Sequence, residues 1–251
     1  VTTNLGIIGA GVVVSAPWTP ASVAGLTGWW DASNTGTITD TGGYVTLLTD
    51  LSGNGKDLDS TYPSGPTTGT RTQNGLNVLD FTPGNGSYLK HDAWTQTTQC
   101  TYFFVCQTDT LTTDSSTLRA LIGWQNITNH QGSGIAMNTG SQLCMYAGSM
   151  VAGAGISANT PTQYTAVFDS ASSHLDKDGV AGGTIDPGDD DFNGGGPLQI
   201  GDVWDYSGGG HGSYSVRWDG WLGEFLIYEG VVGAGDRATI EAYLKAKWGT
   251  P

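Results

Sequence analysis

Three glutamates, Glu224, Glu229 and Glu241, are the side chains best suited by type to serve as acid and nucleophile on a glycosidic bond. That chemistry needs two carboxylates facing one another, which on a single strand requires an even separation so that both project from one face. Glu224 is followed two places on by Leu226, while Glu229 is an odd number of residues away and Glu241 falls in a separate, helix-patterned segment. No Asp-x-Asp pair lies inside a strand-patterned run, so a hydrolase is not expected. His91, His130, His174 and His211 are expected in turns or near strand ends, with no Gly-x-Ser-x-Gly elbow, His-x-x-x-His or Cys-x-x-Cys pair beside them. Gly208 to Gly210 is no phosphate loop, because Gly-Lys-Ser/Thr does not come after it. The expectation is a protein that is not an enzyme and requires no cofactor.

Two loops carry binding chemistry instead. Asp186, Asp189, Asp190, Asp191 and Asn193 concentrate hard oxygen ligands of the kind Ca2+ takes, although their spacing matches no EF-hand and a solvated acidic turn is the other reading. The stretch from Gly201 to His211 places Trp204, Tyr206 and His211 between acids and glycines, the mixture that stacks on sugar faces and hydrogen-bonds hydroxyls. For Trp204, core packing and glycan contact are both open. Trp29, Trp218, Trp221 and Trp248 sit in or beside regular elements and are expected in the core.

These loops need a scaffold, and the rest of the chain describes one. Short runs rich in Val, Ile, Tyr, Phe, Trp and Thr, at 76–81, 101–108, 118–124, 142–147, 163–169, 198–202 and 218–229, read as strands. Ser52-Gly53-Asn54-Gly55, Pro83-Gly84-Asn85-Gly86 and Asp178-Gly179 read as turns between them. Only three of the 23 acids are Glu, and Asp favours turns and caps where Glu favours helices. One helix is expected at the end, with Ile240, Tyr243, Leu244 and Trp248 on one face, Asp236 as cap, a Glu241–Lys245 pair and Gly249 as terminator. The fold class is therefore all-β, an antiparallel two-sheet jelly-roll sandwich with a short C-terminal helix. Cys100 and Cys106 lie in one strand, about 20 Å apart at roughly 3.3 Å per residue, too far to bridge, and free buried thiols including Cys144 are the economical expectation.

The 251 residues carry a net charge of −14, a balance that repels phosphate backbones and anionic lipid, so neither nucleic acid nor membrane is an expected partner. The longest apolar stretch, Ile7 to Val14, is far below the roughly 20 residues of a membrane span. The first Lys or Arg is Lys56, so no basic start suited to a secretory signal precedes that stretch. Residues 1–20 differ from the remainder of the chain: they are uncharged, with Leu5, Ile7, Ile8, Val12, Val13, Val14 and Trp18 as apolar points before Pro20. They are expected to form an extended N-terminal arm ahead of a sandwich domain at 21–251. A first strand of the arm's own domain and a docking arm onto a neighbour are both open.

Several ordered stretches resemble the laminin-G-like, concanavalin A-like jelly rolls. His174-Leu-Asp-Lys-Asp-Gly-Val180 is similar to that family's Asp-Gly hairpin, Leu198-Gln-Ile-Gly201 to its L-x-I-G strand, and Trp218 to Glu229 to its long closing strand. Gly28-Trp-Trp-Asp-Ala-Ser33, Asp50-Leu-Ser-Gly-Asn-Gly-Lys56 and Ile240 to Gly249 resemble the variant found in tailed-phage virion proteins and bacterial surface proteins. The resemblance covers about residues 18 to 249 and implies a bacteriophage virion protein, a capsid decoration or tail-associated subunit assembled in the host cytoplasm. Its arm would dock on a major capsid or tail protein or on sister subunits, as a homo-oligomer guessed to be a trimer. The alternative is a lectin-like module that binds a surface glycan.

Overall fold

The computed structural model describes residues 18–251 except 62, 86, 96, 112–118, 125–132, 190–195, 203, 206–209 and 212–216. Leu5, Ile7, Ile8, Val12, Val13 and Val14 of the expected arm thus lie outside the described residues. Its strands are β1 (Leu26–Asp31), β2 (Ile38–Thr41), β3 (Tyr44–Leu48), β4 (Leu58–Asp59), β5 (Thr72–Gln73), β6 (Leu76–Asn77), β7 (Leu79–Phe81), β8 (Leu89–Trp94), β9 (Cys100–Thr108) and β10 (Arg119–Trp124). They continue as β11 (Ser133–Met137), β12 (Gln142–Ala147), β13 (Met150–Gly155), β14 (Thr162–Phe168), β15 (Ser173–Lys177), β16 (Thr184–Ile185), β17 (Gly196–Ile200), β18 (Trp204–Asp205), β19 (Gly210–His211) and β20 (Gly220–Glu229), before helix α1 (Ala234–Trp248).

Two antiparallel sheets face each other. One runs β1-β20-β9-β14-β15-β16, with β7 taking over the β20 edge where β1 leaves it; the other has nine strands in the order β13-β12-β11-β10-β17-β8-β4-β3-β2. The central strands of the first sheet are buried on both faces, and alternation sorts their side chains. Tyr102, Phe104 and Cys106 point between the sheets, whereas Phe103 and Val105 point outward under the helix. That double burial is why β9 reads as a near-continuous apolar run.

The helix forms where its pattern places it, with different ends. Ile240, Leu244 and Trp248 are fully buried and Tyr243 packs beside them. Gly249 closes it in the left-handed conformation, its N–H reaching Lys245 O at 2.9 Å. Gly233, not Asp236, is the N-cap; Asp236 sits inside the first turn, where a negative charge complements the helix dipole. Glu241 accepts from the Thr165 hydroxyl at 2.8 Å, a partner on the sheet in place of the expected Lys245.

The Asp50–Lys56 loop folds around a single carboxylate. Asp50 accepts from the backbone N–H groups of Trp29, Ser52 and Lys56 and from the Ser52 hydroxyl, at 2.7–3.0 Å. Asn54 ties the loop to Leu26 O, and the Trp30 indole donates to Lys56 O. With Asp50 8 % exposed, Asp50→Ala orphans donors that water reaches poorly and is expected to cost about 2–4 kcal/mol, read as a lower urea midpoint at unchanged slope.

Candidate functional site

Glu224 is fully buried and faces outward from β20 onto the helix, not into a cleft. Its two oxygens accept from the indoles of Trp29 (2.7 Å) and Trp248 (2.9 Å), the Tyr243 hydroxyl (2.9 Å) and the Lys247 ammonium (2.7 Å). Lys247 Nζ also reaches Asp31 Oδ2 at 2.6 Å. Burial pushes the Glu224 carboxyl up, with Asp31 adding to the push and Lys247 opposing it. With both oxygens committed to donors, Glu224 fastens helix to sheet. Glu241 is likewise engaged with Thr165, and Glu229 ends its strand exposed.

The described histidines lie near strand ends, His211 as the last residue of β19, and His130 lies outside the described residues. His91 lies within β8 with Nδ1 2.9 Å from Asp57 O, and His174 lies within β15 with Nε2 2.7 Å from the Arg237 guanidinium. The three cysteines form no disulfide and are buried, and desolvation pushes the Cys106 and Cys144 thiols up, away from thiolate chemistry.

The two binding loops fall at opposite ends of β17. Asp186 and Asp189 precede that strand; Asp186 Oδ1 accepts from Gly188 N, and Pro187 O accepts from Ala147 N and Ser149 N. Asp190, Asp191 and Asn193 lie outside the described residues, and no metal-binding cluster occurs among the described ones. Trp204 comes after β17 and pairs through its backbone with His211, while Tyr206 lies outside the described residues. Roughly 15 Å of strand at about 3.3 Å per residue separates the two ends of β17 from which the loops depart. Trp18 is 38 % exposed and its ring packs 5.4 Å from Tyr243 of the chain's own helix, while Pro20 O accepts from the Tyr228 hydroxyl.

A further constellation emerges only from strand register. Across the outer face of the nine-stranded sheet, Met150, Tyr146, Gly134, Gly123, Gln199, Lys90 and Asp59 are successive cross-strand partners. Gln199 lies between Leu198 and Ile200, which point into the core, so its side chain points to the outer face. It is 1 % exposed, yet neither amide atom has a hydrogen-bond partner. Lys90 is only part buried, its ammonium 2.6 Å from Asp92. In the sequence Gln199 is merely the variable residue of the L-x-I-G strand; its one local signal is a lone amide flanked by core aliphatics.

No family model matches the chain, and no curated protein matches it. Among solved structures it is similar to domain 4 of an extracellular GH43 arabinanase from Geobacillus stearothermophilus, solved with arabinotriose (17 % identity, TM-score 0.59, covering 87 % of this chain and 99 % of that one). It is also similar to the binding domain of Paraclostridial Mosquitocidal Protein 1 (13 %, TM-score 0.63, covering 93 % of this chain and 56 % of that one). A Trypanosoma rangeli sialidase solved with the inhibitor DANA shares the fold at 12 % identity and TM-score 0.56, with 91 % of this chain covering 35 % of the enzyme. At these identities the likeness is one of fold, a two-sheet sandwich shared with carbohydrate-binding and carbohydrate-active proteins.

This corrects the bacteriophage reading: the neighbours named are bacterial and protozoan proteins, and none is a virion or capsid decoration protein. The physical reason is that the stretches carrying that resemblance are architectural. Trp29 and Trp248 serve Glu224, Asp31 holds Lys247, and Asp50 to Lys56 is a self-folded loop. Such residues report how the sandwich closes and carry no information about where it is used.

Proposed function

We propose that this chain is a non-catalytic carbohydrate-binding module. The observation that carries the reading is the near end-to-end match with an arabinanase domain solved holding arabinotriose. The disposition of the glutamates supports the absence of hydrolysis: Glu224 is consumed by four donors and Glu241 by Thr165, leaving no facing pair of glutamates of the kind cleavage needs. The binding domain of the mosquitocidal protein adds a second sandwich described as a binding unit.

A glycan array tests this. Reproducible binding to a defined glycan class without release of reducing sugar is the expected result; silence across the array by folded protein, or sugar release, refutes it. Trp204→Ala run alongside reports whether the loop after β17 contributes. A drop in array signal of about tenfold is expected if its ring stacks on the sugar, given roughly 1 kcal/mol or more for an aromatic contact.

A further inference from the structure

We infer that Trp18, seated on Tyr243 of helix α1 with Trp29 beside it, is the stacking ring of a site for a single neutral glycan chain. The inference rests on the carbohydrate-binding proposal and gives it a location and a ligand class.

Among the described residues Trp18 is the aromatic left open to solvent: it is 38 % exposed, whereas the other large exposed apolar side chains, Met150, Val180 and Val231, carry no ring. Its ring sits 5.4 Å from that of Tyr243, inclined by 56°. The support under it is rigid. The Tyr243 hydroxyl donates to Glu224 Oε1 at 2.9 Å, the Trp29 indole donates to the same oxygen at 2.7 Å, and the Lys247 ammonium lies 5.4 Å from the centre of the Tyr243 ring. Trp29 and Tyr243 are each half-buried, so an aromatic strip runs from Trp29 through Tyr243 to Trp18. The backbone just after Trp18 is pinned as well. Pro20 is buried and its carbonyl accepts from the Tyr228 hydroxyl, while the Thr19 N–H reaches the Ser22 hydroxyl and the Ser22 N–H reaches Thr19 O. A ring already fixed in place loses little freedom when a ligand covers it, the condition under which an aromatic contact is expressed as affinity.

The chemistry of the strip selects the ligand. An indole face carries the negative part of the ring quadrupole and attracts the weakly positive C–H face of a sugar ring, by the same electrostatics that draw a cation onto an aromatic face. Charge narrows the class. Beside the strip two carboxylates, Asp31 and Glu224, share one ammonium, Lys247, and the chain carries a net charge of −14. An anionic sugar would meet repulsion with no unpaired cation of that network to offset it, so the ligand is neutral. Inclination narrows it again. Two rings 56° apart cannot both lie flat against one plane, so the strip does not suit the face of a crystalline polysaccharide. It suits one free chain, whose successive sugars turn relative to each other.

Calorimetric titration of the whole chain with arabinotriose, xylotriose and cellotriose as soluble neutral probes, and sialyllactose as the anionic one, tests this, with a pull-down on crystalline cellulose alongside. The expected result is saturable binding of a soluble neutral probe, none of sialyllactose and no retention on cellulose. Trp18→Ala should raise Kd at least about tenfold, and Trp18→Phe, which keeps a smaller ring on Tyr243, should fall between Trp18→Ala and wild type. Both variants leave Glu224 and its four donors in place, so both should melt in a single transition. Wild-type affinity in folded Trp18→Ala would overturn the site while leaving the carbohydrate-binding proposal standing. A concentration-dependent dimer that Trp18→Ala dissolves would overturn it too, because the ring would then be an interface between copies of this chain. Preference for sialyllactose or for cellulose would overturn the ligand class. No heat with any sugar from folded protein would refute the underlying proposal itself.

Discussion

Lys247→Met is expected to destabilise the chain by about 3–5 kcal/mol at pH 7, the cost of stranding a buried charge, and to lower its melting temperature by roughly 6–20 °C for a protein of this size. The ammonium is shared: Asp31 lies 2.6 Å away and Glu224 2.7 Å away, both carboxylates nearly or fully buried. Without it the two acids, cross-strand partners, are left beside each other with no cation between them. The Glu224 carboxyl, already pushed up by burial and by Asp31, rises further when Lys247 no longer opposes them. A carboxyl whose folded pKa is raised is penalised above that pKa and relieved below it. The deficit should therefore shrink as pH falls from 7 toward the unfolded glutamate value near 4.3. Thermal melts of wild type and variant at pH 7 and pH 5 measure this directly. A variant equal to wild type at pH 7, or a gap that widens at pH 5, would show that the network does not secure the helix.

Gly220→Ala should be comparably damaging, on the order of 3–5 kcal/mol, for a steric reason. Gly220 adopts φ +144°, and a Cβ there would lie 2.0 Å from Gln107 O and 2.8 Å from Thr108 Cα. Both obstacles are backbone of β9, while β7 pairs with Gly220 from the other side. The strand cannot shift away from one neighbour without crowding the other. Chemical denaturation of soluble protein checks this, and a midpoint within experimental error of wild type would contradict it. Gly223 has a different constraint, since its Cβ would sit 2.9–3.0 Å from the Trp248 ring, whose atoms are side chain and have some freedom to move.

These two sites show where the sequence is readable. The apolar face of α1 and the double burial of β9 and β20 are written in periodicity, because burial on a helix or sheet face leaves a regular pattern. Strand β8, Leu-Lys-His-Asp-Ala-Trp, is not recognisable in that way: three polar or charged residues occupy it because one face looks outward and its bulged pairing with β17 breaks the alternation. Strands β11 and β13 are rich in Gly and Ala, small residues with little strand preference, and are held by cross-strand pairing that no local window records. Strand parity alone separates Glu224 from Glu229, as the structure has them. The structural task of Glu224 is hidden in the sequence, since its donors come from positions 29, 243, 247 and 248. Gln199 is the extreme case, legible only once register aligns it with Tyr146, two glycines and Lys90.

The most direct test of the account is a heteronuclear NMR titration of the whole chain with arabinotriose, tracking backbone amides and the sugar's anomeric protons together. The account predicts saturable shifts of a bounded set of backbone amides, with the trisaccharide intact throughout. An unperturbed spectrum at high sugar concentration, or new reducing-end signals from cleavage, would contradict it.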